Sequence, residues 1–149
     1  MNLQGDEPAI DVKDIVRLND KMLQNPSKIG TLASIIKENK ILKNENIVKV
    51  ITENALGENN FPKGISFLRM SERTDNIYHH IGVYCYSKDS LENFVQLSQS
   101  KNEIENRLEQ LRALDNNIDI NVSLAKSSPI GIDTEEDYLA LKKIMEYKN

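Results

Sequence analysis

The chain predicts an α/β protein, because helix-like and strand-like segments alternate along its 149 residues. Three segments carry that expectation. The run IYHHIGVYCY at 77–86 has the two-residue period of a strand, and IDINVSL at 118–124 alternates just as cleanly. Between them, Ile104, Leu108 and Leu111 fall at i, i+4 and i+7, the apolar stripe of a helix.

The other elements follow in order. Residues 12–24 read as a helix: Val12, Ile15, Val16, Met22 and Leu23 recur at near-helical spacing, Asp11 suits the N-cap and Pro26 helps to end it. TLASII at 31–36 and IVKVIT at 47–52 read as strands, and the Asn, Gly and Pro of 53–64 as a loop. A short apolar run, ISFL, comes next, and 71–76 is polar and expected to be exposed. On the strand at 77–86, Ile77, His79, Ile81, Val83 and Cys85 share one mostly aliphatic face, expected to pack on the core. Tyr78, His80, Gly82, Tyr84 and Tyr86 share the other. Helices are expected at 88–98 and 102–114, the second with a charged outer face paired as Glu103 with Arg107. A loop at 127–131 leads to a last helix at 135–147, where Thr134 and Asp137 resemble the start of a capping box.

The bulk properties set bounds. With 28% charged and 39% hydrophobic residues the composition is that of an ordinary globular domain, and the length suits a single domain over 1–149. A net charge of −4 argues against a nucleic-acid partner, which usually meets a basic excess. Cys85, the single cysteine, excludes an internal disulfide and suits a reducing cytoplasm. No apolar run approaches the roughly 20 residues of a membrane span, and MNLQGDEPAID lacks the pattern of a signal peptide. These observations give the expectation of a cytoplasmic protein with no membrane partner.

Few residues stand out for chemistry. In Gln4-Gly5-Asp6-Glu7-Pro8 a turn displays an aspartate, an oxygen donor suited to magnesium, although taken in isolation a turn aspartate reads first as structure. Asp133, in GIDT, is either the N-cap of the last helix or, if Thr134 caps it, free for another role. The adjacent His79 and His80 point to opposite strand faces and so do not suit a shared metal; His80, on the tyrosine face, is the better functional candidate. Glu105, Glu109 and Arg112, with Gln110 beside them, read by pattern alone as a solvated helix face.

QGDEP at 4–8, HIGVYCY at 80–86, LEQLR at 108–112 and GIDTEEDY at 131–138 together resemble, in order and spacing, the 3-deoxy-manno-octulosonate (Kdo) cytidylyltransferases. IVKVI at 47–51 fits the strand between them, so the resemblance spans nearly the whole chain. It implies a partial nucleotide-diphosphosugar-transferase-like (Rossmann-like) mixed sheet flanked by helices. The implied reaction is attack of the anomeric hydroxyl of Kdo on the α-phosphate of CTP, giving CMP-Kdo and pyrophosphate for lipopolysaccharide assembly. It also implies that Asp6 and Asp133 are catalytic carboxylates holding Mg2+, with Gln4 beside the substrates and His80, Tyr84, Glu109 and Gln110 in the sugar pocket. The family implies a homodimer, paired through the segment 30–86.

Two departures shape the expectation. Where the family has Phe-Ser-Arg followed by Ile-Pro, this chain has Phe67-Leu68-Arg69-Met70-Ser71; Arg69 is expected to keep a role in binding an acidic group of the substrate. The family also begins with a phosphate-binding βα region, and here Met1 stands almost directly before QGDEP. The chain is therefore expected to be a partial protein (a truncated gene, a fragment or one piece of a split enzyme) with little synthetase activity alone. The competing readings are a cytidylyltransferase for another acidic sugar, such as a sialic acid, and a non-catalytic dimerisation module.

Overall fold

The structure, a computed structural model, describes residues 1–3 and 10–126, together with Glu135, Tyr138, Leu139, Lys142 and Lys143, which are helical. Gln4, Asp6, Asp133, the 127–131 loop and the capping residues Thr134 and Asp137 lie outside the described residues.

The chain opens on a short strand β1 (Asn2–Leu3), then helix α1 (Val12–Gln24). Asp11 caps α1 by accepting from the Lys13 amide at 2.8 Å, and the helix stops where Asn25 turns extended ahead of Pro26. Strand β2 (Ile29–Ser34) is buried along its whole length. After a 3-10 turn at Asn39–Lys43 come β3 (Lys49–Thr52), β4 (Gly64–Leu68) and the long β5 (Ile77–Tyr86). Three short helices follow, α2 (Lys88–Phe94), α3 (Lys101–Asn106) and α4 (Leu111–Asp115), then β6 (Ile120–Leu124). Among the described residues no helix is long and apolar enough to cross a membrane.

The strands form one mixed sheet in the order β4-β3-β5-β2-β6. β5 is its axis: β2 runs antiparallel along one edge, while β3 and β1 share the other, with Lys49 opposite His79 and Leu3 opposite Val83. β6 adds to β2 in parallel, Ile29 opposite Ile120. This is the α/β mixed sheet flanked by helices that the sequence predicts.

Both faces of β5 are covered. Ile81, Val83 and Cys85 pack with Leu32 against Leu18 of α1, as the aliphatic face predicts. Tyr84 belongs to the larger core beneath α2, α4 and the turn at Leu108, with Ile29, Val50, Phe67, Phe94, Leu108 and Leu111. Ile77 joins Leu42 and Ile51 in a third cluster. Gly30 lets α1 close on β2: a Cβ there would stand 2.6 Å from Met22 Sδ and 3.0 Å from Leu18 Cδ1 and Phe61 Cζ. Gly30→Ala is therefore expected to destabilise the fold by about 1–3 kcal/mol through overpacking, read as a lower urea midpoint at unchanged m-value.

The expected helix at 102–114 is two helices instead. Arg107 takes the left-handed conformation, φ 54° and ψ 48°, and ends α3. Ile104, one member of the apolar stripe, is 60% exposed, whereas Glu103 is 4% exposed. Charge pairing overrides the stripe: Glu103 turns inward to Arg112 rather than outward to Arg107. The helix expected at 88–98 likewise closes early, at Phe94.

Candidate functional site

On the helix-covered face of β5 the side chains form a row of rings. Phe67 meets His80 edge-on at 5.1 Å, His80 lies 5.6 Å from Tyr84, Tyr84 6.1 Å from Tyr86, and Tyr86 5.9 Å from Phe94, with the Arg112 guanidinium 4.9 Å above the Phe94 ring. The alternation of β5 produces the row, because every second side chain projects to one face.

His80 is buried and held by Thr31, whose hydroxyl lies 3.0 Å from Nε2, 2.8 Å from the Val83 carbonyl and 3.3 Å from the Ile81 carbonyl. Carbonyls only accept, so the single hydroxyl proton goes to them, and His80 Nε2 must be the donor to Thr31. That fixes the neutral tautomer and leaves Nδ1 as an acceptor. Thr31 also mends the register shift between Thr31 and Leu32 by satisfying β5 carbonyls there. Burial, with the neighbouring His79, pushes the His80 imidazole down to about 3. Burial, then the neighbouring Tyr86 and the charge of Glu109, hold the Tyr84 hydroxyl well above its ordinary value, so it remains a proton donor. The same causes without Tyr86 push Tyr86 itself up to about 12.

Glu109 and Gln110 sit on the turn between α3 and α4. Ser100 and Glu103 form a capping box at the start of α3. Glu103 also takes the Arg112 fork, at 2.8 Å from Nε and 2.5 Å from Nη2, and those bonds hold its carboxyl down to about 2. Arg112 reaches Glu109 more loosely, at 3.5 Å. Glu109 is exposed, whereas Gln110 is buried and its side chain has no hydrogen-bond partner among the described residues.

Arg69 reaches this turn from the end of β4. Its Nε donates to the Asn106 carbonyl at 3.2 Å, Nη2 to Arg107 at 3.3 Å and Nη1 to Glu45 at 3.0 Å, leaving two of five N–H bonds for another acceptor. A left-handed residue other than glycine costs roughly 1–2 kcal/mol, and the grip on the Asn106 and Arg107 carbonyls helps to hold it. Beneath Arg69 lies Lys49, whose side chain is fully buried. Its Nζ donates to the carbonyls of Asn44 at 2.7 Å, Ile47 at 2.8 Å and Arg69. Burial and the Arg69 charge pull the ammonium down to about 8.

A second cluster joins the first turns of α1 to the end of β6. Asp14, buried in the first turn of α1, accepts the Lys126 amide at 3.0 Å and pairs with Arg17, which also donates to the Leu124 carbonyl at 3.2 Å. The segment that follows QGDEP is thus tied to the segment that precedes GIDT.

The structure therefore gathers Arg69, His80, Tyr84, Glu109 and Gln110 around β5 and one turn. Among the described residues no group of three or more His, Cys, Asp or Glu side chains could hold a metal ion. Sequence reasoning missed Lys49, Asp14 and the inward role of Glu103; the Ser100-x-x-Glu103 spacing was the available signal for the last.

A cytidylyltransferase family model matches residues 1–120. The 3-deoxy-manno-octulosonate cytidylyltransferase of Thermodesulfovibrio yellowstonii is 40% identical over 151 residues, covering 97% of this chain and 59% of its own length. That of Bartonella tribocorum is 35% identical over 147 residues, covering 97% and 60%. The chain thus spans about 60% of the length of these curated relatives. A solved structure of CMP:2-keto-3-deoxy-manno-octonic acid synthetase complexed with CTP is similar at a TM-score of 0.84 and 28% identity, over 99% of this chain and 61% of that one. UTP-bound UGPase from Acinetobacter baumannii is similar at 0.62 and 11% identity, over 90% and 44%, a likeness of fold alone.

Proposed function

The chain belongs to the cytidylyltransferase family, and from that premise we propose that it serves the transfer of CMP from CTP to Kdo, releasing pyrophosphate. The identities of 35–40% to Kdo cytidylyltransferases support this reading. The observation that carries it is the convergence of Tyr84, Glu109 and the Arg69-held turn on one face of β5. In the reaction the anomeric oxygen of Kdo bonds to the α-phosphorus while the bond to the departing pyrophosphate breaks.

The chain's residues supply the sugar side of this chemistry. Tyr84, kept protonated by burial, donates a hydrogen bond. Gln110 offers an amide with both donor and acceptor to spare, and Glu109 accepts from sugar hydroxyls. His80 fixes the Tyr84 ring by packing and presents an oriented Nδ1. Arg69 keeps two N–H bonds for an acidic group, and Gln4 completes the substrate contacts. Asp6 and Asp133 would hold Mg2+, a hard cation suited to two carboxylates and substrate phosphates. When bound, it neutralises charge developing on those phosphates. The bond from Lys126 to Asp14 supports their meeting, because it joins the chain flanking each aspartate. Pairing of two copies through 30–86, in the cytoplasm, belongs to the same proposal; Ile35, Ile65 and Met70 are exposed there and suit an interface.

Calorimetric titration of the purified chain tests the sugar site. Kdo is expected to bind better than N-acetylneuraminate, and Gln110→Ala to weaken Kdo binding about tenfold, the loss of one good hydrogen bond. Preference for the sialic acid would overturn the Kdo assignment, and binding of neither sugar would overturn the sugar-site reading.

A further inference from the structure

We propose that Lys49 is a positioning residue for Glu109 and Gln110, acting through Arg69 and the left-handed turn at Arg107; its bearing on substrate rests on the function proposed above. The two cations form a two-tier relay built on backbone oxygens. An ammonium has three N–H bonds, and Lys49 spends all three on carbonyls of Asn44, Ile47 and Arg69. Those bonds join the turn before β3 to the residue after β4. Arg69, fixed at its own backbone by Lys49, then spends three N–H bonds on Glu45, Asn106 and Arg107. Glu45 lies in the turn that Lys49 holds, so the lower tier braces both ends of the upper one. Asn106 and Arg107 lead directly into Leu108, Glu109 and Gln110.

The chemistry of the partners argues for geometry rather than charge balance. Neither cation has a carboxylate within ion-pair distance among the described residues. Methionine could fill the space of the Lys49 stem, but it could not gather three carbonyls from two segments. A left-handed residue without glycine persists only where its surroundings fix it, and Arg69 is the side chain that grips both carbonyls of this turn.

Hydrogen exchange followed by NMR tests the relay without any ligand. The amides of Arg107 and Leu108, both bonded to the Glu103 carbonyl, report the turn directly. Lys49→Met is expected to speed their exchange about tenfold or more, the equivalent of losing about one hydrogen bond, with β2 and β5 amides unchanged. Arg69→Gln is expected to give the same rise, and Lys49→Met added to it no further rise. Kdo affinity is expected to fall in parallel, and CTP affinity is not. Unchanged exchange at Arg107 and Leu108 in either folded variant, or additive effects in the double variant, would overturn the relay; if Lys49→Met does not fold, Lys49→Gln, which cannot reach all three carbonyls, is read in its place by the same criteria. A wild-type chain that binds no Kdo would end the functional reading, while the exchange rates would still judge the relay.

Discussion

Replacing Arg112 with methionine is expected to destabilise the fold by about 3–5 kcal/mol, the cost of leaving a buried carboxylate without its partner. Glu103 has a side chain 5% exposed and Arg112 one 13% exposed. The pair is bidentate, and the same carboxylate also accepts from the Ser100 amide and Gln99. Arg112→Met also removes the cation from the Phe94 ring. Glu103→Gln in that background is expected to recover much of the loss, because a neutral amide keeps a hydrogen-bonding group at the capping box without a buried charge. Urea unfolding of wild type, both single variants and the double variant measures the cycle; an Arg112→Met variant within about 0.5 kcal/mol of wild type, as for an exposed substitution, would show the pair to be inert.

The second large effect is a loss of stability in mild acid, set by His80. Its imidazole titrates near 3 in the folded protein and near 6.5 when unfolded. Between those values the unfolded chain takes up a proton that the folded chain refuses, so stability falls as the pH drops from 6.5 towards 3. The slope is about 1.4 kcal/mol per pH unit, or about 2 kcal/mol lost by pH 5. His79, also lowered by burial, adds in the same direction. Glu103 contributes stability that is lost only below about 4.5, outside the interval between pH 6.5 and 5. His80→Gln is expected to flatten the dependence between pH 6.5 and 5, at some cost in packing against Phe67 and Tyr84. Denaturation midpoints at the two pH values give the result, and an equally steep loss in the variant would place the titrating group elsewhere.

The sequence made β5 and α1 legible because each obeys one period over its full length. Two-residue alternation located both faces of β5, and Asp11 with Pro26 bracketed α1. The grouping of His80 with Tyr84 came from the same alternation, while Arg69, Glu109 and Gln110 entered through resemblance to a family. Lys49 was hidden because a lysine in a strand reads as solvent-facing; only tertiary structure shows three carbonyls waiting for it. The split of 102–114 was hidden for a related reason. Periodicity weighs apolar residues alone, and here an ion pair between Glu103 and Arg112 decided which side of the chain turned inward.

The parallel pairing of β2 with β6 has a consequence for how the chain is made. β2 leaves the ribosome well before β6, so the partner of its outer edge emerges only after all the other described strands. Until then a fully buried strand of the finished protein stands with one row of amides and carbonyls unpaired, a template for wrong association. Contacts so distant in sequence also slow the final closure. Nascent chains stalled before Ile120 should therefore be the aggregation-prone species, and holding chaperones should engage them in preference to the completed polypeptide.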